Sequence, residues 1–241
     1  LEESTEIGKK YEFYGEVENK KGSSLLFSFF FTGYNSRVPA LVFTEIKDAV
    51  SEKYGKEFVE LYALSDGNLA GLKISSTNDG ENNAFIFPAI EISKGDFITV
   101  HYRKPQDSSG CISELSGDKT LSTGSGSSDI AWDIWVENSD SRLGASQDVI
   151  VLENPNTGKI LQSVIYSIDK KNEWMKEKFQ EKAQFCSDTG AWSPDGSFEN
   201  AVIFKTSCVL ARTNLSEIIE NYEHGYYENI IPSNAKEWIR I

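Results

Sequence analysis

The stretch from Glu57 to Ile74 restricts the fold more than any other part of the chain. Phe58, Glu60 and Tyr62 alternate with Val59, Leu61 and Ala63, the period of two that marks a half-buried strand. Ser65-Asp66-Gly67-Asn68 carries turn chemistry, and Leu69 to Ile74 resumes the apolar run, so the segment predicts two strands and a reversal. Val59 and Leu61 are the residues expected on the inner face of a sheet, with Glu60 pointing outward, exposed or paired.

Similar patterns flank it. Tyr11–Glu18 and Leu25–Thr32 predict a hairpin closed by Asn19-Lys20-Lys21-Gly22. Leu25-Leu26-Phe27-Ser28-Phe29-Phe30-Phe31 has strong β-propensity and no charge, an aggregation hazard on an open edge, so it is expected as a core strand inside the main sandwich or against a neighbouring layer. Ala49, Val50 and Tyr54 suggest a helical turn ended by Gly55. Further strands are read at Val38–Ile46, Ala84–Pro88, Asp96–Tyr102, Ile130–Val136, Asp148–Leu152 and Leu161–Tyr166, the last two joined by a turn at Asn154–Gly158. The Ser- and Gly-rich stretch from Gln106 to Asp129 is too polar for core and reads as a mobile surface loop. Between Asp169 and Gly190 the period changes: Met175, Phe179, Ala183 and Cys186 share one helical face, with Asp169 or Asn172 as the cap. Leu215, Ile218, Ile219 and Tyr222 give a second, short helix.

With 241 residues, the chain is long enough for one elaborated domain or two small ones. Lys and Arg number 24 against 37 Asp and Glu, a net charge of −13, which disfavours phosphate backbones and anionic membrane surfaces, so nucleic acid is not expected as a partner. Cys111, Cys186 and Cys208 form neither a disulfide framework nor a zinc spacing; the one pair considered is Cys186–Cys208, against three thiols packed as small hydrophobes. No apolar run approaches the roughly 20 residues of a membrane span, and Leu1-Glu2-Glu3-Ser4 does not read as a signal peptide.

Phe58-Val59-Glu60-Leu61-Tyr62-Ala63 followed by Asn68-Leu69-Ala70-Gly71-Leu72 resembles the Phe-Val-Glu-Leu-Tyr-Asn, turn, Asp-Leu-Ser-Gly-Trp signature of lamin tail domains. Phe43–Ile46 is similar to that family's opening strand, Phe87-Pro88 and the strand after Lys94-Gly95 to its next step. Ser207–Arg212 with Ser233–Trp238 is similar to its terminal Ser-x-x-Arg and Asn-x-x-x-x-Trp. Ala63 replaces the usual Asn and Leu72 the usual Trp, which alters any capping or packing role there. The resemblance implies a mainly β, immunoglobulin-like β-sandwich with one or two inserted helices. It divides the chain into residues 1–37, a lead-in and hairpin packed on the sandwich, and 38–241, the sandwich with insertions at about 106–129, 169–205 and 214–230. It carries no catalytic residues. The implied function is a non-enzymatic recognition or scaffolding module of an exported, periplasmic or cell-surface protein of bacterial type, its partner a protein or an envelope glycan.

Two other functions have residues to name. Asp129, Asp133, Asp140 and Asp148 surround the long loop and are oxygen donors of the kind calcium takes, which would suit a calcium-dependent hydrolase or nuclease, although their spacing matches no EF-hand. Trp132, Trp135 and Trp192 are candidates for an aromatic sugar platform of a carbohydrate-binding module. His101 and His224 lack metal-site spacing; His101 reads as an outward strand position and His224 as a surface residue. There is no Gly-x-Ser-x-Gly, P-loop or Gly-x-Gly-x-x-Gly.

Overall fold

The computed structural model describes residues 5–47, 57–80, 84–102, 110–124, 126–136, 143–168, 170–204, 209–227 and 230–241. In chain order the strands are β1 (Lys10–Glu18), β2 (Ser24–Thr32), β3 (Leu41–Lys47), β4 (Phe58–Ala63), β5 (Gly67–Asn68), β6 (Lys73–Ser76), β7 (Phe85–Ile86), β8 (Glu91–Ile92), β9 (Phe97–His101), β10 (Ala131–Trp135), β11 (Gln147–Glu153), β12 (Ile160–Ile168), β13 (Val202–Phe204), β14 (Val209–Arg212) and β15 (Trp238–Arg240). The helices are α1 (Glu177–Asp188) and α2 (Leu215–Glu223). The protein is mainly β. One sheet runs β10-β9-β4-β3-β14-β15 and a second β13-β12-β11-β6-β7, while β5-β8 and β1-β2 are separate two-stranded ribbons.

Leu41, Phe43, Leu61, Ile98 and Ile134 of the first sheet share one hydrophobic core with Ile74, Val151 and Val164 of the second, so the two sheets form a sandwich. In β4, Val59, Leu61 and Ala63 are buried while Phe58, Glu60 and Tyr62 are half-buried, as the alternation predicts. A bulge between Phe43 and Glu45 in β3 lets Phe43 and Ile46 both reach the core despite their odd spacing. Two parallel pairs, β9 with β10 and β12 with β13, depart from the antiparallel sheets of an immunoglobulin sandwich.

The Glu57–Ile74 segment is not a hairpin. Its first strand pairs with β3 and β9, and its second run becomes a strand only at β6, which belongs to the opposite sheet. Leu69, Ala70 and Leu72 are all buried at the crossing, because a chain passing from one sheet to the other through the core edge is covered on both sides. Gly71 sits there at φ +79°, and a Cβ on it would stand 2.8 Å from Pro155. By contrast β11 and β12 do form the expected antiparallel hairpin.

Helix α1 packs Ala183 and Cys186 into the sandwich core as its period predicts, but it begins later than expected. Lys176 is its N-cap, Asn172 does not cap it, and Met175 precedes it with its side chain exposed. On the other sheet, α2 buries Ile218 against Val42, Leu64 and Ile231. Cys186 is a free thiol, and burial pushes its pKa up to about 12. Cys208, Asp140, Asp169 and the helical turn expected at Ala49–Tyr54 lie outside the described residues.

The resemblance to a terminal Arg and Trp signature falls on a built clamp. The buried Arg212 guanidinium donates to the Phe43 carbonyl (2.9 Å), the Ser233 hydroxyl (2.7 Å) and Glu237 (2.7 Å), and lies 4.9 Å from the centre of the Trp238 ring. Asn234 and Glu237 form a capping box just beyond it. Burial lowers the Arg212 pKa to about 10, against the pull of Glu237. These bonds tie β14 to β3 and to the C-terminal segment.

Candidate functional site

The hairpin β1/β2 is where the structure departs furthest from the sequence expectation. Its pairing and turn are as predicted, with Lys10 opposite Thr32 and Glu18 opposite Ser24. Its strands, however, are not packed into the sandwich: every residue of β2 is exposed. Among the described residues, its hydrogen bonds to the body come from the root, which closes on itself and is anchored through Asn35. Gly8 donates to the Gly33 carbonyl (3.0 Å), and Asn35, buried, donates to the carbonyls of Asn68 (2.7 Å) and Ala70 (3.0 Å) beside the crossing.

Register sorts the ribbon's side chains by face. Tyr11, Phe13, Gly15 and Val17 stand opposite Phe31, Phe29, Phe27 and Leu25, so one face is wholly apolar. Phe13 and Phe29 stack with ring centres 5.0 Å apart, and Tyr11 and Phe31 at 5.4 Å. Gly15 makes room for the Phe27 ring, which an added Cβ would strike. Phe13, Val17, Leu25, Phe27, Phe29 and Phe31 stay 40–66% exposed, an apolar patch on the order of 500 Å², the size that marks interaction sites. The other face mixes Glu12, Glu16 and Glu18 of β1 with Leu26 and Phe30 of β2. A legible signal lay in the mismatch between the strands: β1 alternates apolar with acidic residues, whereas β2 is apolar on both faces, and a two-stranded ribbon has nothing of its own to cover them.

The three described calcium candidates, Asp129, Asp133 and Asp148, do not converge. Asp129 is exposed. Asp133 is buried on β10 and spends its oxygens on protein groups: His101 Nε2 lies 2.6 Å away, the Ser128 amide donates at 2.6 Å and the Ser122 hydroxyl at 3.3 Å. Asp148 accepts from the Ser76 hydroxyl (2.5 Å) and the amides of Gly144 (2.7 Å), Val149 (2.8 Å) and Asn78 (3.0 Å), a brace between β6 and β11; burial nonetheless raises its pKa. Among the described residues no group of three or more His, Cys, Asp and Glu side chains is arranged to hold a metal ion.

The tryptophans likewise are buried, Trp132 and Trp192 in the sandwich core and Trp135 on the outer side of its sheet against His101. Trp132, Trp135 and Trp192 are 5%, 3% and 2% exposed, so none forms a surface platform. The Trp132 indole donates to Asp96 (2.9 Å), the Trp192 indole to the Asn200 carbonyl (3.2 Å), and Trp135 stacks on His101 with ring centres 4.0 Å apart. His101 is on the outward-pointing side of β9 as expected, yet it is buried: Trp135 stacks on it, and Gly126 of the Ser- and Gly-rich segment lies close to its ring. The described part of that segment, residues 110–124 and 126–129, is a strap bonded to the sheet. Glu114 donates its amide to the Asp133 carbonyl (2.9 Å), Ser113 accepts from the Trp135 amide (3.0 Å), Ile112 pairs with Thr123, and Lys119 binds Asp96 (2.5 Å). Burial alone would raise the Asp96 pKa, but Lys119, the Ser93 amide and Trp132 hold it below its ordinary value. Backbone-to-side-chain bonds, which composition does not reveal, hold this polar segment in place.

Beside the strap, Glu60 accepts from the Thr44 hydroxyl at 2.6 Å and stands opposite Glu45 in the ladder. Burial pushes its pKa up to about 7, with Glu45 and Asp133 adding and the Thr44 bond opposing. His224 caps the end of α2, its ring 2.8 Å from the Glu220 carbonyl, and is exposed as expected.

Among known proteins, the chain is 29% identical over 170 residues to an uncharacterized protein of Treponema pallidum (strain Nichols), a match covering 67% of this chain and 42% of that relative. The chain thus spans about two fifths of that relative's length. No solved structure matches. A family model described as the TP_1001 protein second domain matches residues 39–240, nearly all of the sandwich and none of the aromatic ribbon, and by that match the chain belongs to the TP_1001 protein second domain family.

Proposed function

We propose that this protein is a non-enzymatic recognition or scaffolding module in which a lamin-tail-like, immunoglobulin-type sandwich carries the aromatic ribbon β1/β2 as its binding element. The observation that carries the reading is the uncovered face of Phe13, Phe27, Phe29 and Phe31 on a ribbon fixed at its root. Aromatic side chains of limited rotamer freedom supply much contact area at small entropic cost, which is why they dominate binding surfaces. A partner of protein or envelope-glycan chemistry fits this face, the net charge of −13 disfavours nucleic acid, and the setting we propose is exported, periplasmic or cell-surface. No helix of the described residues is long and apolar enough to cross a membrane.

The test compares the wild type with Phe13→Glu/Phe29→Glu. Binding of a hydrophobic dye and retention of envelope components on immobilised protein should both fall to background in the double variant, while its thermal unfolding stays that of the wild type. Equal retention by the two proteins would move the binding surface elsewhere.

A further inference from the structure

The edge of β2 is a feature separate from the apolar face. Hydrogen-bonded rungs of the ribbon fall on odd-numbered residues, as the Asn19 amide to the Ser23 carbonyl (2.9 Å) at one end and the Gly33 amide to the Lys9 carbonyl (2.8 Å) at the other fix the phase. The backbone groups of Leu26, Ser28 and Phe30 therefore point away from β1, and β2 pairs with no further strand among the described residues. Natural edges are guarded by charge, and β1 has Lys10, Glu12, Glu16 and Glu18. Ser24 to Thr32 has none.

We infer that β2 pairs with β2 of a second copy, antiparallel about a two-fold axis at Ser28, to make a four-stranded sheet ordered β1-β2-β2-β1. Such an axis sets Phe27 opposite the partner's Phe29 on the apolar face and Leu26 opposite the partner's Phe30 on the other, so both faces of β2 gain apolar neighbours. The same operation on β1 would set Glu12 against the partner's Glu16 twice, which selects β2. In the assembled sheet the two uncharged strands are central and the two charged strands are the outer edges, the arrangement expected of a stable sheet. A lone two-stranded ribbon is marginal in water, and four strands are not.

Charge also favours this geometry. Each copy carries −13, which opposes contact between bodies. Antiparallel pairing keeps the two ribbon roots about 27 Å apart, well beyond a Debye length of about 8 Å. It also brings the exposed Lys20-Lys21 turn of each ribbon to the root of the other, against an acidic body.

The decisive experiment uses the full chain. Sedimentation velocity from low to high micromolar concentration should show a dimer. Ser28→Pro removes only an outward-facing amide, so it leaves the β1–β2 ladder intact and should yield a monomer with unchanged thermal unfolding. Ser28→Cys places the two Cα atoms about 5.5 Å apart, within the span a disulfide bridges, and mild oxidation should crosslink it, whereas Ser24→Cys and the wild type should not crosslink. Lys20→Glu/Lys21→Glu should weaken the dimer several-fold at low salt, and added salt should recover part of the loss by screening the new repulsion. A wild type that stays monomeric overturns the inference, as does a dimer that survives Ser28→Pro but dissociates in Phe13→Glu/Phe29→Glu. Flotation of a monomer with phosphatidylcholine–phosphatidylglycerol vesicles, or capture of another protein's strand by a monomer, also overturns it. The recognition reading is tested on the face and this one on the edge, so each can fail alone.

Discussion

Strands β2 and β4 are both short apolar runs, and they meet opposite fates. In β4, apolar residues alternate with Phe58, Glu60 and Tyr62; Val59 and Leu61 are fully buried between two sheets. In β2, Leu25 to Phe31 is richer in large apolar side chains, and every residue is exposed. Hydrophobicity thus marks surface that needs cover, but the number and placement of neighbouring strands decide whether the same chain provides it. β4 has β3 and β9 on its two edges and a facing sheet. β2 has β1 alone.

The comparison can be broken most severely at Leu61. Leu61→Ala should lower stability by about 2–5 kcal/mol through lost burial and the cavity left behind, read as a shift in the urea midpoint. Gly71→Val, next in size, should cost about 1–3 kcal/mol because the backbone is in the left-handed region and the new side chain meets Pro155. A midpoint equal to that of the wild type would mean that the crossing relaxes freely.

Glu60 sharpens the contrast, since it is the outward residue of β4 and yet half-buried. Its folded pKa of about 7 exceeds its ordinary 4.5, so the folded state holds the proton to higher pH than the unfolded state. Stability should therefore fall as pH rises from about 4.5 through 7, by on the order of 1–3 kcal/mol. Glu60→Gln keeps an acceptor for Thr44 and should remove that slope, gaining stability at pH 8 and little at pH 5. Parallel midpoint–pH curves for variant and wild type would sink this assignment.

Phe29→Ala is the smallest expected effect, within about 0.5 kcal/mol on the unfolding of dilute, monomeric protein. A loss comparable to that of Leu61→Ala would show that β2 is core after all.

Much of the sandwich was legible because its strands obey local rules. The alternation in β4, the β11/β12 hairpin around Asn154–Gly158, the apolar stripe Phe179, Ala183 and Cys186 in α1 and the 215–223 helix all follow from side-chain period and turn chemistry. The candidate site was half legible: the pairing and turn of the ribbon were readable, its exposure was not. Burial depends on what lies across from a strand: the mismatch between β1 and β2 marks β2 as needing cover, but residues 10–32 do not encode whether the rest of the chain supplies it.

What the sequence determined by itself is therefore local: which residues form strands and helices, which way Val59, Leu61 and Glu60 point, and that an acidic chain carries an uncharged aromatic strand. The tertiary structure alone decided that the Glu57–Ile74 run crosses between sheets, that Asp133, Asp148, Trp132, Trp135 and Trp192 are buried, that the described part of a Ser- and Gly-rich segment is bonded to the sheet beside His101, and that among the described residues β2 pairs with β1 alone. The division has one physical cause. Period and turn propensity act between residues a few positions apart, whereas burial and hydrogen-bond satisfaction are set by partners such as Phe43 and Gln162 that meet only when distant strands pack.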